Sequence, residues 1–270
     1  MTYAKDKTAA FEELQRLGMA YSYPPVRLHT TNTDDTNRIA EFDVIGLAFA
    51  PIVSMMAYPV FEESISQDLR SNDVARVRLG YASVVFWGHY GDGNRAKFAA
   101  RRAGRTAGFD GNTLQHEMTE IARLVDAGAY GQGLVRAFGL PEIGSTSFAS
   151  KLITFLAPHA SGVLDLQIYE GLARTALSDR RSPFEDWLAE EFAPWAWTGW
   201  GTRSSKGRTA AGFDRWCAKL TEVARDLNAA KFDGPFGDWR AADVERAIYR
   251  ALRNSRTRKQ PNGDGIRPDE

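Results

Sequence analysis

The spacing of apolar residues predicts a chain built mainly from helices. Residues 7–18 place Phe11, Leu14 and Leu17 on one side of a short amphipathic helix. Residues 21–40 are polar and turn-rich, and the run TTNTDDTN within them reads as loop. Phe42–Ser66 is apolar and predicts one or two buried helices broken at Pro51 and Pro59. Asp43, Gly46 and the prolines interrupt that stretch before it reaches the roughly 20 apolar residues a membrane helix needs, so it reads as core. Val74–Trp87 fits helix or strand, and Tyr90–Asn94 is a turn. Lys97–Arg105 reads as a basic helix. In Thr113–Ala129, Leu114, Met118, Ile121, Leu124 and Val125 recur at helical spacing. Shorter helices follow at Gly131–Phe138, Gln167–Leu177, Ala211–Leu227 and Asp243–Leu252, with a Gly/Ser/Arg loop at 201–208. Few stretches alternate as strands do, so the expected fold class is mainly α. The last residues, SRTRKQPNGDGIRPDE, predict a disordered tail over 254–270.

Composition narrows the chemistry. At 270 residues and 43% hydrophobic, the chain fits one large domain or two intimately packed ones. The single cysteine, Cys217, excludes a disulfide framework and a four-cysteine metal site. His29, His89, His116 and His159 are scattered without metal-ligand spacing, so a metal enzyme is not expected, although carboxylate-bound ions stay open; no cofactor is expected. The start of the chain lacks an apolar leader, which predicts a cytoplasmic protein.

Net charge is zero, with 34 basic and 34 acidic residues. A nucleic-acid binder needs only one basic face, however. Two basic runs exist: Arg95, Lys97, Arg101, Arg102 and Arg105, and Arg250, Arg253, Arg256, Arg258 and Lys259. Either is also compatible with a solvated helix face.

The segment around Leu140–Leu156 changes the picture most. Leu140-Pro141 turns the chain, Gly144 permits a tight backbone, and Ser145 or Thr146 opens a new helix that Pro158 ends. Such a hairpin aims free backbone N–H groups at a phosphate, and the helix dipole adds to the attraction. Ile143, Gly144, Ser145, Thr146 and Ser147 are therefore the candidate DNA contacts.

Leu140-Pro141-Glu142-Ile143-Gly144 resembles the helix-hairpin-helix of the HhH-GPD superfamily of DNA glycosylases, which writes Leu-Pro-Gly-hydrophobic-Gly; Glu142 stands where the first glycine is expected. An acidic side chain there must point away from phosphate. The resemblance implies a helix-hairpin-helix glycosylase core over 76–253, the hairpin at 139–157, behind a divergent N-terminal region, 1–75, packed on it. Asp165 fits the place where the superfamily carries its catalytic aspartate, which stabilises the oxocarbenium-like sugar or activates the attacking group. Phe148-Ala-Ser-Lys151 is similar to the lysine-bearing segment of the 8-oxoguanine glycosylase branch, which implies a nucleophilic Lys151. In the familiar enzymes the lysine follows the hairpin glycine by two residues, a position occupied here by Thr146, whereas Lys151 follows by seven. Two readings stay open: a Schiff-base nucleophile, or a lysine that covers core while Asp165 works with water.

Phe86-Trp-Gly-His-Tyr90 and Trp239–Ala247 also look like bacterial proteins of the 8-oxoguanine glycosylase fold. A flipped base needs aromatic walls. Trp87, His89, Tyr90, Trp197 and Trp200 are the candidates, and Arg203 in the following loop is a further phosphate contact. The expected function is excision of a damaged or modified base from double-stranded DNA by a monomer, in repair or in defence against phages with modified DNA such as glucosylated hydroxymethylcytosine. The alternatives are a non-catalytic DNA-binding sensor and an 8-oxoguanine repair glycosylase/lyase.

Overall fold

A computed structural model describes residues 3–30, 42–44, 47–53, 57–91, 95–179, 181–196 and 206–258. Among them lie eleven α-helices and one small antiparallel sheet, so the fold is mainly α. Helix α1 spans Tyr3–Met19. Strands β1 (Val26–Thr30), β2 (Phe42–Val44) and β3 (Leu47–Val53) form the sheet in the order β1-β3-β2. This corrects two expectations: part of 21–40 is a strand, and the apolar stretch after Phe42 begins as two strands rather than helix. The backbone register sets Val26 opposite Val53 and Phe42 opposite Phe49, and β-branched and aromatic residue types of this kind favour strands.

Helix α2 (Tyr58–Leu69) starts with Pro59 in its first turn, where a missing N–H costs nothing. Helix α3 (Val74–Tyr90) resolves the helix-or-strand ambiguity and runs through the centre, with Tyr81, Val84, Val85 and Phe86 fully buried. Its start at Val74 means that a boundary after residue 75 would fall two residues inside the helix. Helices α4 (Ala96–Gly104), α5 (Gly111–Asp126), α6 (Tyr130–Ala137), α7 (Thr146–Leu156) and α8 (Leu166–Ala176) follow. Then come α9 (Pro183–Ala196), α10 (Lys206–Ala229) and α11 (Ala241–Arg258). Helix α10 begins five residues earlier than its apolar period predicts. Helix α11 runs on to Arg258, so 254–258 is helical rather than disordered; 259–270 lies outside the described residues.

One hydrophobic cluster links α1 to α11, with β1 against α3. Close helix approaches depend on glycine at two places that matter for the site. A Cβ on Gly88 of α3 would fall 2.5 Å from Phe148 and 3.1 Å from the Lys151 side chain on α7. A Cβ on Gly162 would fall 2.5 Å from Leu220 of α10 and 2.7 Å from Glu245 Cβ of α11. Among the described residues, no helix is long and apolar enough to cross a membrane.

Candidate active site

Helices α6 and α7 are joined by a tight turn. Its backbone is held by Ile143 N–H to Leu140 O (3.3 Å) and Ser145 N–H to Ile143 O (2.8 Å). Tyr81 of α3 donates its hydroxyl to the carbonyl of Pro141 and fixes the turn from below. Glu142 has φ +66°, the left-handed conformation that glycine adopts freely and other residues at a cost. Its carboxylate turns inward to ion-pair with Arg102 (2.5 Å), with Arg105 at 3.8 Å.

The donors available at the hairpin differ from the expected set. The Ile143 and Ser145 amides are spent inside the turn, and Ile143 itself is fully buried. Ser145 occupies the N-cap position of α7, but its side chain makes no cap hydrogen bond. The helices with an aspartate cap behave otherwise: Asp73 accepts from Ala75, Asp110 from Thr113 and Asp165 from Ile168. The first-turn amides of α7, at Thr146, Ser147 and Phe148, thus start a half-buried helix end with no side-chain acceptor from Ser145.

Behind this turn lies a cleft of about 230 Å³. Lys151, Asp165, Trp87, His89 and Ser147 line it, so two candidate catalytic residues and two candidate base-pocket residues converge. Tyr90 does not line it and packs instead on Phe86, ring centroids 5.5 Å apart. Trp197, Trp200 and Arg203 lie outside the described residues.

Hydrogen bonds across the loop between α7 and α8 set the distance between Lys151 and Asp165. Ser150 of α7 accepts from the Leu164 amide (3.0 Å), Ser161 donates to Ala157 O (2.9 Å), and the Trp216 indole of α10 donates to Gly162 O (3.2 Å). The loop is folded back on α7, and Asp165 emerges beside Lys151 as the N-cap of α8, accepting from Ile168 N–H at 2.9 Å. Lys151 is only 9% exposed. Its ammonium donates to the Ser147 hydroxyl (2.9 Å) and carbonyl (3.3 Å) and lies 5.1 Å from the Phe148 ring centre. Burial lowers its pKa, against the opposing pull of Asp165 and Glu245. His89 sits between Phe148 (centroids 4.3 Å apart) and Phe98 (5.2 Å). Burial and then Arg102, Lys151 and Arg95 push its pKa down to about 4, so the imidazole is neutral near pH 7.

Periodicity and motif miss one wall of this cleft. Glu245 and Tyr249, one turn apart on α11, line it together with Tyr21 and Tyr23. Glu245 is buried, accepts a hydrogen bond from the Val163 amide, and has its pKa pushed up to about 8 by burial. Its neighbour Arg246 belongs to a buried four-charge cluster. Arg240 pairs with Glu62 (2.7 Å) and Asp243 (2.7 Å), while Arg246 pairs with the same Glu62 and with Asp243 (3.1 Å). The cluster clamps α11 to α2. The Ala241 and Ala242 amides also bond to the carbonyls of His159 and Pro158 just after α7 (3.3 and 3.0 Å). The available signal was a carboxylate interrupting the buried stripe of Val244, Ala247 and Ile248.

The rim beside the hairpin is basic. Arg95, Lys97, Arg101 and Arg105 are exposed along and beside α4, and Phe98, 39% exposed, lies among them with the Arg101 guanidinium 5.4 Å from its ring centre. Arg95 reaches the cleft itself. No family model matches this sequence, and no curated protein or solved structure is significantly similar to it.

Proposed function

We propose that this chain is a DNA glycosylase of helix-hairpin-helix type that excises a damaged or modified base. The observation that carries the proposal is the meeting of Lys151 and Asp165 in one aromatic-walled cleft, directly behind a turn in which Glu142 takes the conformation of a glycine. A DNA phosphate would bind the uncapped start of α7, helped by the helix dipole. The exposed cations of α4 would follow the backbone on either side. This division lets a protein of zero net charge hold a polyanion. Glu142 is compatible with it because Arg102 neutralises its charge away from the helix end.

In this reading the target base leaves the stack and enters the cleft between aromatic faces. As its glycosidic bond breaks, positive charge grows on the sugar, and the Asp165 carboxylate stabilises it. Water or the Lys151 amine then bonds to C1′. Burial favours the neutral, nucleophilic amine, which supports the covalent route.

Duplexes carrying a panel of modified bases test the proposal, with released bases identified by mass spectrometry and abasic sites revealed by alkali. Asp165→Asn is the informative variant, because asparagine caps a helix as well as aspartate does. Release is expected to fall at least ~100-fold while melting stays unchanged. Borohydride is expected to trap a protein–DNA adduct that Lys151→Met cannot form. Intact duplexes across the panel under both assays sink the proposal.

A further inference from the structure

Two carboxyl groups share this cleft, and the chemistry above uses only one. Asp165 enters from the cap of α8 and Glu245 from the second turn of α11. Their surroundings differ sharply. Asp165 is partly exposed and accepts a backbone N–H. Glu245 is 5% exposed and its stem is wedged against Gly162, where a Cβ would fall 2.7 Å away. The groups that act on Glu245 come from every side: Asp165 and Lys151 across the cleft, Arg246 on its own helix, and the phenols of Tyr21 and Tyr249, whose titration it in turn raises. Arg246 is already shared between Glu62 and Asp243, which leaves Glu245 without a dedicated cation.

Resting on the glycosylase reading, we propose that Glu245 is the general acid of the reaction and hands its carboxyl proton to the departing base. The bookkeeping of the step is complete with water as co-reactant. The C1′–N bond breaks and its electron pair goes to the base. The Glu245 proton joins a ring nitrogen or exocyclic oxygen, so the base leaves neutral. Asp165 stays ionised opposite the sugar cation. Water, or the neutral Lys151 amine on the covalent route, bonds to C1′, and its surplus proton passes through Asp165 to restore Glu245. Burial suits Glu245 to this role, because it holds the group's pKa at about 8 and keeps the proton in place at neutral pH. A buried carboxyl that keeps its proton beside a second, more exposed one divides acid and base work in this way.

The test uses the whole chain and duplexes containing uracil, hypoxanthine, 5-hydroxymethylcytosine, 8-oxoguanine or 7-methylguanine. 7-Methylguanine is cationic in the duplex and leaves without needing a proton. For a neutral base, release by the unmodified protein is expected to decline as pH rises through about 8, over a scan from about pH 6 to pH 9. Glu245→Gln should lower that rate ~10²–10⁴-fold and remove the decline, while slowing 7-methylguanine release less than about tenfold. Where 7-methylguanine is not a substrate, the pH limb decides alone. A protonated-carboxyl band in the infrared difference spectrum near neutral pH, absent from Glu245→Gln, is expected as a readout independent of turnover. A flat pH profile, an equal loss on cationic and neutral bases, or absence of that band overturns the acid role and leaves the glycosylase reading standing. No release from any duplex overturns both.

Discussion

Glu142 holds two opposed consequences in one residue. Its φ of +66° places a side-chain-bearing residue in a region that costs roughly 1–2 kcal/mol relative to glycine. Its carboxylate, in return, ties the hairpin to α4 through Arg102. The two terms can be separated. Glu142→Ala keeps the strained backbone and loses the ion pair, whereas Glu142→Gly loses the ion pair and relieves the strain. Glycine should therefore be more stable than alanine by about 1 kcal/mol in urea melts. Equal stabilities would mean that the turn relaxes without left-handed geometry, and the likeness to a Leu-Pro-Gly-hydrophobic-Gly turn would lose its physical basis.

At the scale of elements, local sequence carries some features and not others. The α6–α7 hairpin was legible because a turn is written in adjacent residues: Leu140-Pro141, Gly144 and the following apolar stripe. Asp165 was found through the likeness of its segment to the superfamily's, and its role as the cap of α8 came only with the structure. The strands were not legible, because β2 is only three residues long and the β3 sequence, LAFAPIV, is apolar throughout and shows no alternation. Glu245 was not legible because its environment comes from α7, α8 and the loop holding Gly162, all far away in sequence. The α4 basic run was visible but ambiguous, and the structure separates its members. Arg102 is committed to Glu142, while Arg95, Lys97, Arg101 and Arg105 remain exposed. If those four meet phosphates, the affinity for an undamaged duplex should fall with salt at a log–log slope of about −0.9 per contact. Arg101→Ala and Lys97→Ala should each reduce the slope's magnitude by close to one contact in a fluorescence-anisotropy titration. An unchanged slope in both variants would remove α4 from the interface.

For the whole molecule, the cleft's chemistry must be set against stability, because a site that keeps a carboxyl protonated also makes the fold depend on pH. In the folded chain Glu245 titrates at about 8, against an ordinary value of 4.5. Between those values the folded state holds a proton that the unfolded chain has released. The contribution of Glu245 is therefore full below about pH 4.5 and is lost as pH rises through 8. His89 has the opposite sign: its pKa falls from 6.5 to about 4, so its contribution is present above 6.5 and lost as pH drops towards 4. From about pH 4.5 to 6.5 the two slopes oppose each other, and above 6.5 that of Glu245 acts alone. Stability should thus decline from about pH 6.5 to 8, with a limiting slope near 1.4 kcal/mol per pH unit for one full proton. Glu245→Gln should flatten that decline and melt higher than the unmodified chain at pH 8 than it does, by comparison, at pH 5. The difference between the two proteins isolates this carboxyl from every other titrating group. If it stays constant across the range, Glu245 is ionised in the fold, and burial among Asp165, Tyr21 and Tyr249 does not hold its proton.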